Sequence, residues 1–283
     1  MANLYHYTTG AGLLGMMKNY SEKNKNLTMW ATHYMYMNDP TEYLFGENIC
    51  LDVIDEIETE LNVEKEFRIK GVVTTDNAKL LQRKVMRFLH SFDPQKIRTC
   101  PYFISLSMAR DSLHMWDMYA TNGNGIAIVF NKERLSNYYE LEKCIYPKRK
   151  QDYSDIKQRI EKLYEEFSTN EYSSLEVSIE RACTISNMIS LMVGIYIKHH
   201  SYKEEKEIRL IAPYAHQILF RDKKGLIIPY VEQQIPFECV ENIIIGPTAD
   251  FNRVRESILL LMNSIGIIWD EDKIIKSKVP YRV

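Results

Sequence analysis

The chain has 283 residues, of which 45% are hydrophobic and 26% charged, and its formal net charge is −2. This is ordinary globular composition, with enough apolar residues for a substantial core. The balanced charge excludes a global basic field that would hold nucleic acid through its phosphates, whereas a small nucleotide site remains compatible with it.

In the first half of the chain, polarity alternates along residues 3–8, which predicts a strand. Asp39 is expected to cap a later helix, because Pro40 suits the first helical position and Glu42 the third position of a capping box. The elements predicted in this half are a strand at 3–8, a helix at 11–20, a strand at 27–32, helices at 39–61 and 79–92, a strand at 102–107, a helix at 112–119 and a strand at 126–130.

The second half begins with two long helical stretches and then becomes rich in strands. The elements predicted here are helices at 152–167 and 174–198, strands at 207–212, 217–221, 225–230 and 239–245, a helix at 250–264 and an edge strand at 273–277. Because strands and helices interleave without regular βαβ units, we expect an α+β fold. No linker composition interrupts the chain, so residues 1–283 are predicted to form a single domain with a helical insertion at about 150–200.

The cellular compartment is predicted from what the sequence contains near its start and at its cysteines. The opening MANLYHYTTG lacks a basic segment followed by an apolar stretch, which predicts no signal peptide. The longest apolar-rich segment, residues 184–197, is too short to span a bilayer. The five cysteines are odd in number and lack any CxxC spacing, which favours a reducing compartment and argues against structural zinc. We therefore expect a cytoplasmic protein without a membrane partner and without a metal site.

The opening motif LYHYT brings a histidine between two tyrosines at the start of the first predicted strand. Successive strand residues point to opposite faces, so His6 and Thr8 share one face and Tyr5 and Tyr7 the other. For an isolated histidine–tyrosine pair, the simpler interpretation is a packed strand with a half-exposed imidazole.

The later motif EKEIRL, at residues 205–210, is rich in charge. If the chain is extended from Glu205, then Glu205, Glu207 and Arg209 share one face, and the apolar residues between them point to the core. Two carboxylates placed in this way repel each other unless a cation or a substrate lies between them, and Arg209 relieves part of that repulsion. The simpler interpretation is a solvated charged strand face.

A middle segment combines serines with aromatic residues. Ser105 and Ser107 share one face of the predicted strand 102–107, and Trp116 and Tyr119 lie on the helix that follows. Aromatic residues at helical spacing usually belong to a core. The functional alternative is a flat wall for a nicotinamide or adenine ring.

Taken in chain order, these motifs resemble those of an uncharacterised bacterial family of unknown function. The matching sequences are LYHYT at 4–8, NDPTE at 38–42, FISLS at 103–107, DSLHMWDMY at 111–119, GIAIVF at 125–130, KEEKEIRL at 203–210 and IIIG at 243–246. The first motif and the E-x-E strand are also similar to the first and last motifs of ADP-ribosyltransferases, which use NAD⁺ as substrate. This similarity implies a mixed, largely antiparallel sheet with flanking helices.

The similarity to ADP-ribosyltransferases also implies roles for individual residues. His6 would bind a ribose of NAD⁺, Glu207 would be the catalytic carboxylate, and Glu205 would position the acceptor. Tyr7 or Tyr119 would stack on a ring of the nucleotide. The residues expected to line the NAD⁺ site beside His6 are Tyr7, Thr8, Ser105, Ser107, Trp116, Tyr119 and Arg209.

These residue types suit cleavage of the nicotinamide–ribose bond, which builds positive charge on the sugar that a fixed carboxylate stabilises. The sequence therefore predicts an NAD⁺-consuming transferase or glycohydrolase, by analogy a toxin or phage-defence effector, with an unidentified macromolecular acceptor. The alternatives are a nucleotide-sensing or ligand-sensing module without turnover, and a metal-dependent hydrolase or nuclease that uses Glu205, Glu207 and His6.

Overall fold

The computed structural model describes residues 3–37, 39, 41–74, 101–167, 175–212, 217–223 and 225–281. The α-helices within them are α1 Gly10–Met17, α2 Glu42–Glu60, α3 Ile69–Val73, α4 Leu113–Tyr119, α5 Lys132–Ser136, α6 Ser154–Phe167, α7 Leu175–Met192 and α8 Phe251–Ser264. The strands are β1 Asn3–Thr8, β2 Asn26–His33, β3 Tyr102–Ser107, β4 Ile126–Asn131, β5 Leu141–Lys143, β6 Glu207–Ile211, β7 Leu219–Lys223, β8 Leu226–Pro236, β9 Val240–Ile245 and β10 Ile274–Lys276. None of the described helices combines the length and the apolarity that crossing a bilayer requires.

The predicted α+β fold is confirmed, because the described strands form one mixed, largely antiparallel sheet accompanied by helices. The strand order is β10-β9-β4-β1-β3-β2-β8-β7, and β6 pairs with both β3 and β5. β9 and β10 run parallel. The pairs that place the candidate site, β1 with β3 and β3 with β6, run antiparallel.

The helix expected to begin at Asp39 begins instead at Glu42, and its N-cap is Thr41. The Asp39 carboxylate accepts hydrogen bonds from the main-chain N–H and the hydroxyl of Thr41, at 2.8 and 2.7 Å. Asp39 thus makes a turn with the residue two positions on, rather than capping the helix. Residues 38 and 40 lie outside the described residues, as does the helix predicted at 79–92.

Two further boundaries differ from the prediction because of long-range contacts. The helix predicted to reach residue 198 ends at Met192, and a 3₁₀ turn follows at Gly194–Tyr196. A Cβ on Gly46 of α2 would lie 2.1 Å from the carbonyl oxygen of Gly194, so the two glycines allow a close backbone approach there. The strand predicted at 225–230 continues to Pro236, because its second half pairs with β2.

Backbone contacts divide the chain into two compact units. The first unit comprises Met1–Thr32, Tyr102–Lys143 and Lys203–Val283, and it contains β1, β3–β10 and residues 26–32 of β2. The second unit comprises His33–Pro101 and Cys144–Tyr202, and it contains α2, α3, α6 and α7. The prediction of a single domain with a helical insertion stays a prediction.

Each unit has its own apolar cluster. In the first unit, rings and small residues pack on one face of the central sheet, among them Tyr5, Tyr7, Trp116, Ala127 and Val129. In the second unit, the helices bury apolar residues at helical spacing, among them Ile49, Val53, Ile57, Ile156 and Ile160.

Candidate functional site

β3 lies at a fork in the sheet, because it forms hydrogen bonds with three strands, β1, β2 and β6. β6 pairs along the whole stretch from Phe103 to Ser107 and therefore takes one edge of β3. A strand has only two edges, so β1 and β2 must share the other one. Within the described residues, β1 and β3 have one registered pair, Tyr5 with Ser107, at the C-terminal end of β3. β1 and β3 therefore separate next to Ser107, which also pairs with Glu207 of β6.

A carboxylate is fixed on one face of this forked region. The register pairs Ser105 with Arg209 and Ser107 with Glu207, so all four side chains project from the same face. Ser105 Oγ donates to Glu207 Oε1 at 2.6 Å. Arg209 Nε donates to the same oxygen at 3.1 Å, and Nη2 donates to Oε2 at 3.4 Å. These three donors hold both carboxylate oxygens in a defined orientation.

Glu207 and Arg209 are both buried, so each of their charges needs the other to offset the cost of burial. Glu207 is 4% exposed and Arg209 is 1% exposed, and the guanidinium carbon of Arg209 lies 5.2 Å from the centre of the Phe103 ring. A buried charge is costly unless an opposite charge and hydrogen bonds accompany it. Ser105, by contrast, is exposed. The solvent-facing member of the Glu207 network is therefore a hydroxyl group.

Glu205 lies before the strand and has its own partners. β6 begins at Glu207, where the predicted strand 207–212 also begins, and Lys206 has a left-handed φ of 45°, so the chain is not extended from Glu205 and the shared face considered for Glu205 and Glu207 does not form. Tyr119 donates its hydroxyl to Glu205 Oε1 at 2.6 Å, and Ser107 Oγ donates to the Glu205 carbonyl oxygen at 2.6 Å. The turn at Lys206 gives each glutamate a different donor set, which relieves the repulsion that an extended E-x-E strand would impose.

The imidazole of His6 contacts the main chain of β3. Its Nδ1 lies 3.2 Å from the carbonyl oxygen of Ser105. A carbonyl only accepts, so we assign the imidazole proton to Nδ1, which leaves Nε2 as the acceptor of the neutral ring. Burial lowers the pKa of His6, and this favours the neutral ring. The imidazole thus satisfies a main-chain acceptor at the fork.

The register places His6 and Glu207 on opposite faces of the sheet, and the ribose-binding role implied for His6 stays a prediction. Tyr5 is paired with Ser107, and Ser107 with Glu207, so these three side chains share a face. His6 follows Tyr5 along β1 and points to the opposite face. Ser105 links the two residues, because its carbonyl contacts His6 and its hydroxyl contacts Glu207. Thr8 ends β1 on the face of His6.

Tyr7 and Trp116 are used inside the protein, so neither offers a free ring face to a ligand in this conformation. Tyr7 is 6% exposed and Trp116 is fully buried, and their ring centres lie 4.9 Å apart in an edge-to-face arrangement. The Tyr7 hydroxyl donates to the Ala109 carbonyl at 2.7 Å and accepts from the Ser112 N–H at 3.1 Å. Burial raises the pKa of Tyr7 to about 12. Tyr119, the third predicted ring, is half-buried and donates its hydroxyl to the carboxylate of Glu205.

Asp111 is a structural residue of the site that the sequence-based reasoning missed. It has a left-handed φ of 46° and accepts hydrogen bonds from Trp116 Nε1 at 2.8 Å, Ser277 Oγ at 2.6 Å and the Lys278 N–H at 2.7 Å. Asp111 therefore ties the loop after β3 to α4 and to the segment after β10. Its place in the motif D-x-x-x-M-W was visible, but the distant partners were not.

The fold and the site define an α+β protein with a forked sheet that carries a serine–glutamate–arginine network. A family profile described as "Protein of unknown function (DUF2971)" matches residues 115–210, which include Tyr119, Glu205, Glu207 and Arg209. The predicted likeness to a domain of unknown function is confirmed for this part of the chain, and no relation to ADP-ribosyltransferases is shown. No curated protein and no solved structure gives a significant match.

Proposed function

We propose that the chain is an NAD⁺-consuming enzyme, an ADP-ribosyltransferase or an NAD glycohydrolase, with Glu207 as its catalytic carboxylate. The observation that carries the proposal is the 2.6 Å hydrogen bond from Ser105 Oγ to Glu207 Oε1. It joins two motifs that lie 102 residues apart in the sequence. The similarity to ADP-ribosyltransferases had assigned both motifs to one NAD⁺ site.

The chemistry requires a carboxylate that is oriented before the substrate arrives. Arg209 engages both oxygens of Glu207 and so fixes the carboxylate beside the place where the ribose becomes positively charged, as the charge of the nicotinamide ring moves to the sugar during bond cleavage. Ser105 is the exposed neighbour of the carboxylate, so a ribose hydroxyl of NAD⁺ would join or replace the Ser105 hydroxyl at Oε1. Tyr119 and Glu205 form the adjacent pair that would meet the nicotinamide ring and the acceptor.

His6 has a different role in this proposal from the one that the sequence motif implied. Because His6 points to the opposite face from Glu207, we assign it to the fork, where Nδ1–H holds the Ser105 carbonyl. His6 is thus a positioning residue that acts through Ser105. The acceptor of any ADP-ribose transfer, and a toxin or phage-defence setting, belong to the proposal by analogy alone.

The test is release of nicotinamide from NAD⁺ by the purified chain, alone and with cell lysate. Glu207→Gln is expected to lower the rate by about 10²–10³-fold or more, as removal of a transition-state electrostatic contact does. Ser105→Ala removes one hydrogen bond from the carboxylate and should lower the rate less while leaving the fold intact. Glu241→Gln is the matched control, since Glu241 is another hydrogen-bonded glutamate of the sheet, bonded to Asn131.

The outcomes separate the proposal from its alternatives. Unchanged release by folded Glu207→Gln and Ser105→Ala variants would refute the assignment of the carboxylate, and no release under either condition would refute NAD⁺ consumption. A ligand-sensing module would bind NAD⁺ without releasing nicotinamide, and a metal-dependent hydrolase would lose its activity with a chelator. Within the described part of the chain, no group of three or more His, Cys, Asp and Glu residues is placed to hold a metal ion.

A further inference from the structure

A cluster of aromatic and charged residues, here called the Trp30 platform, lies on the β2-β8-β7 part of the sheet. It consists of Trp30 on β2, Tyr230 and Glu232 on β8, and Arg221 on β7. Trp30 is 42% exposed, which is unusual for so large an aromatic side chain at the middle of a strand. Its ring centre lies 4.7 Å from that of Tyr230, which is buried, and the two ring planes are tilted by 39°.

The ladder explains why these side chains meet. Between β2 and β8, Trp30 pairs with Glu232 and Thr32 pairs with Tyr230. Between β7 and β8, Arg221 pairs with Ile228, which is two residues before Tyr230 and so on the same face. Residues that face each other across antiparallel strands share a face, so the indole, the phenol and the guanidinium project to the same side. All of them lie on paired strands, and the platform is therefore preformed.

Arg221 supplies the positive charge of the platform. Its guanidinium carbon lies 5.2 Å from the Trp30 ring centre and 5.7 Å from the Tyr230 ring centre. Nη2 donates to Thr32 Oγ1 at 2.8 Å, whereas Nε is buried and has no partner among the described residues. In that part of the chain, no carboxylate lies within ion-pair distance of Arg221. A partly desolvated guanidinium of this kind is well suited to an anionic partner, phosphate above all.

Glu232 adds a carboxylate to the same face of the sheet as Trp30. It is exposed and stands opposite Trp30 in the register. A carboxylate at the edge of a stacking ring accepts from an exocyclic amino group, as it does for cytosine N4 in nucleic-acid recognition. The platform therefore offers an aromatic face, a cation and an acceptor within one small area.

We propose that Trp30, Arg221 and Glu232 bind an unpaired nucleobase together with its phosphate, with the base stacked on Trp30 and the phosphate on Arg221. Aromatic side chains on an exposed sheet, combined with a nearby cation, are the usual means of holding single-stranded bases. The exposed carboxylate favours bases with an exocyclic amino group, such as adenine, over uracil. The ligand is either a free nucleotide or one residue of a single strand, and both present the same chemistry.

The test measures fluorescence anisotropy of a labelled eight-residue oligoadenylate with the purified chain, and competition by AMP, UMP and inorganic phosphate. None of these ligands contains nicotinamide, so the result does not depend on NAD⁺ turnover. Trp30→Leu is expected to weaken binding by about 5- to 150-fold, the range for loss of one stacked base. Arg221→Gln should reduce the slope of log affinity against log salt by about 0.7, the value for one phosphate of a single strand.

Phe220→Leu is the matched control, because Phe220 is 60% exposed on the same strand but projects from the opposite face. Glu232→Ala should reduce the preference for oligoadenylate over oligouridylate. AMP competition equal to that of the oligonucleotide would identify a free-nucleotide site, and weaker AMP competition would identify a single-strand site; both support the proposal. Absence of binding, an unchanged affinity in Trp30→Leu, or an equal loss in Phe220→Leu would overturn it.

Discussion

Each compact unit buries a glutamate, and the two carboxylates are held in different ways. Glu58 of α2, in the helical unit, is fully buried and accepts from the Ile69 N–H at 2.8 Å and from the Tyr164 hydroxyl at 2.9 Å. Glu207 of β6, in the sheet unit, is held by Ser105 and by the buried cation of Arg209. Both are almost fully buried, but within the described residues Glu207 forms a salt bridge with Arg209 and adjoins the exposed Ser105, whereas Glu58 feels the more distant charge of Arg181.

The comparison of Glu58 with Glu207 shows that burial of a carboxylate does not by itself indicate a functional site. The contacts of Glu58 join α2 to the start of α3 and to α6, and this joining is sufficient reason for its presence. The contacts of Glu207 join two sequence motifs and lead through Ser105 to the surface. Measurements of stability and of its pH dependence can therefore test whether Glu58 and Glu207 differ in this way.

The largest effect is expected from Arg209→Met, which leaves Glu207 buried without its cation. Breaking a buried ion pair from one side typically costs about 3–5 kcal/mol. We expect the free energy of unfolding, measured by urea denaturation, to fall by that order.

The double variant Arg209→Met/Glu207→Leu is the control for this prediction. Replacing both members of a buried pair by apolar residues of similar volume is often neutral, so the double variant should recover most of the lost stability. It should not recover nicotinamide release. A double variant as unstable as Arg209→Met would show that the loss arises from packing of the long side chain and not from the unpaired charge.

Local sequence patterns were sufficient to predict much of the fold. β3 matches the predicted strand 102–107 because its alternation and flanking turns are local properties. The amphipathic helix predicted at 250–264 differs from α8 by one residue, since Asp250 caps it as a helix-start residue should. The ends of α7 and β8 were wrong because they depend on contacts with Gly46 and with β2, which no local window contains.

Part of the candidate site could be predicted from the sequence, but its geometry and the role of Asp111 could not. Ser105, Glu207 and Arg209 meet because β3 and β6 pair in one register, and a shift of one residue would have turned Glu207 to the other face. Alternation along β1 already separated Tyr5 from His6, but only the pairing of Tyr5 with Ser107 showed which of them faces Glu207. The turn at Lys206 was hidden because a lysine is an uncommon residue at positive φ.

A smaller effect is expected for Glu58→Gln, because the amide keeps an oxygen that can accept from the Ile69 N–H, and the charge of Arg181 is the weakest of the influences on Glu58. Burial raises the pKa of Glu58 above its ordinary value of 4.5, even though the Ile69 N–H and the Tyr164 hydroxyl bond to it. A raised pKa in the folded state means that its contribution to stability is fully present below pH 4.5 and is lost as the pH rises through the folded value. Unfolding of both proteins between pH 4.5 and 8 should therefore show the wild-type chain losing stability relative to Glu58→Gln. A constant difference across this range would contradict the raised pKa.

The smallest effect, and the one with the opposite sign, is expected at His6. Burial lowers the pKa of His6 below its ordinary value of 6.5, so its contribution to stability is present above pH 6.5 and is lost as the pH falls through the folded value. His6→Asn keeps a donor near the position of Nδ1 but cannot titrate. Relative to this variant, the wild-type chain should lose stability on acidification below pH 6.5.

His6→Asn also distinguishes two roles of His6, a structural contact with the Ser105 carbonyl and direct binding of the ligand. If His6 acts only by holding the Ser105 carbonyl, His6→Asn should keep the KM for NAD⁺ of the wild-type chain, because the amide replaces the Nδ1–H donor. His6→Ala should lower kcat, since the freed carbonyl no longer fixes the strand segment that carries the Ser105 hydroxyl. A raised KM in His6→Asn would instead mean that the neutral Nε2 binds the nucleotide, and β1 would then reach the substrate across the fork in spite of the register.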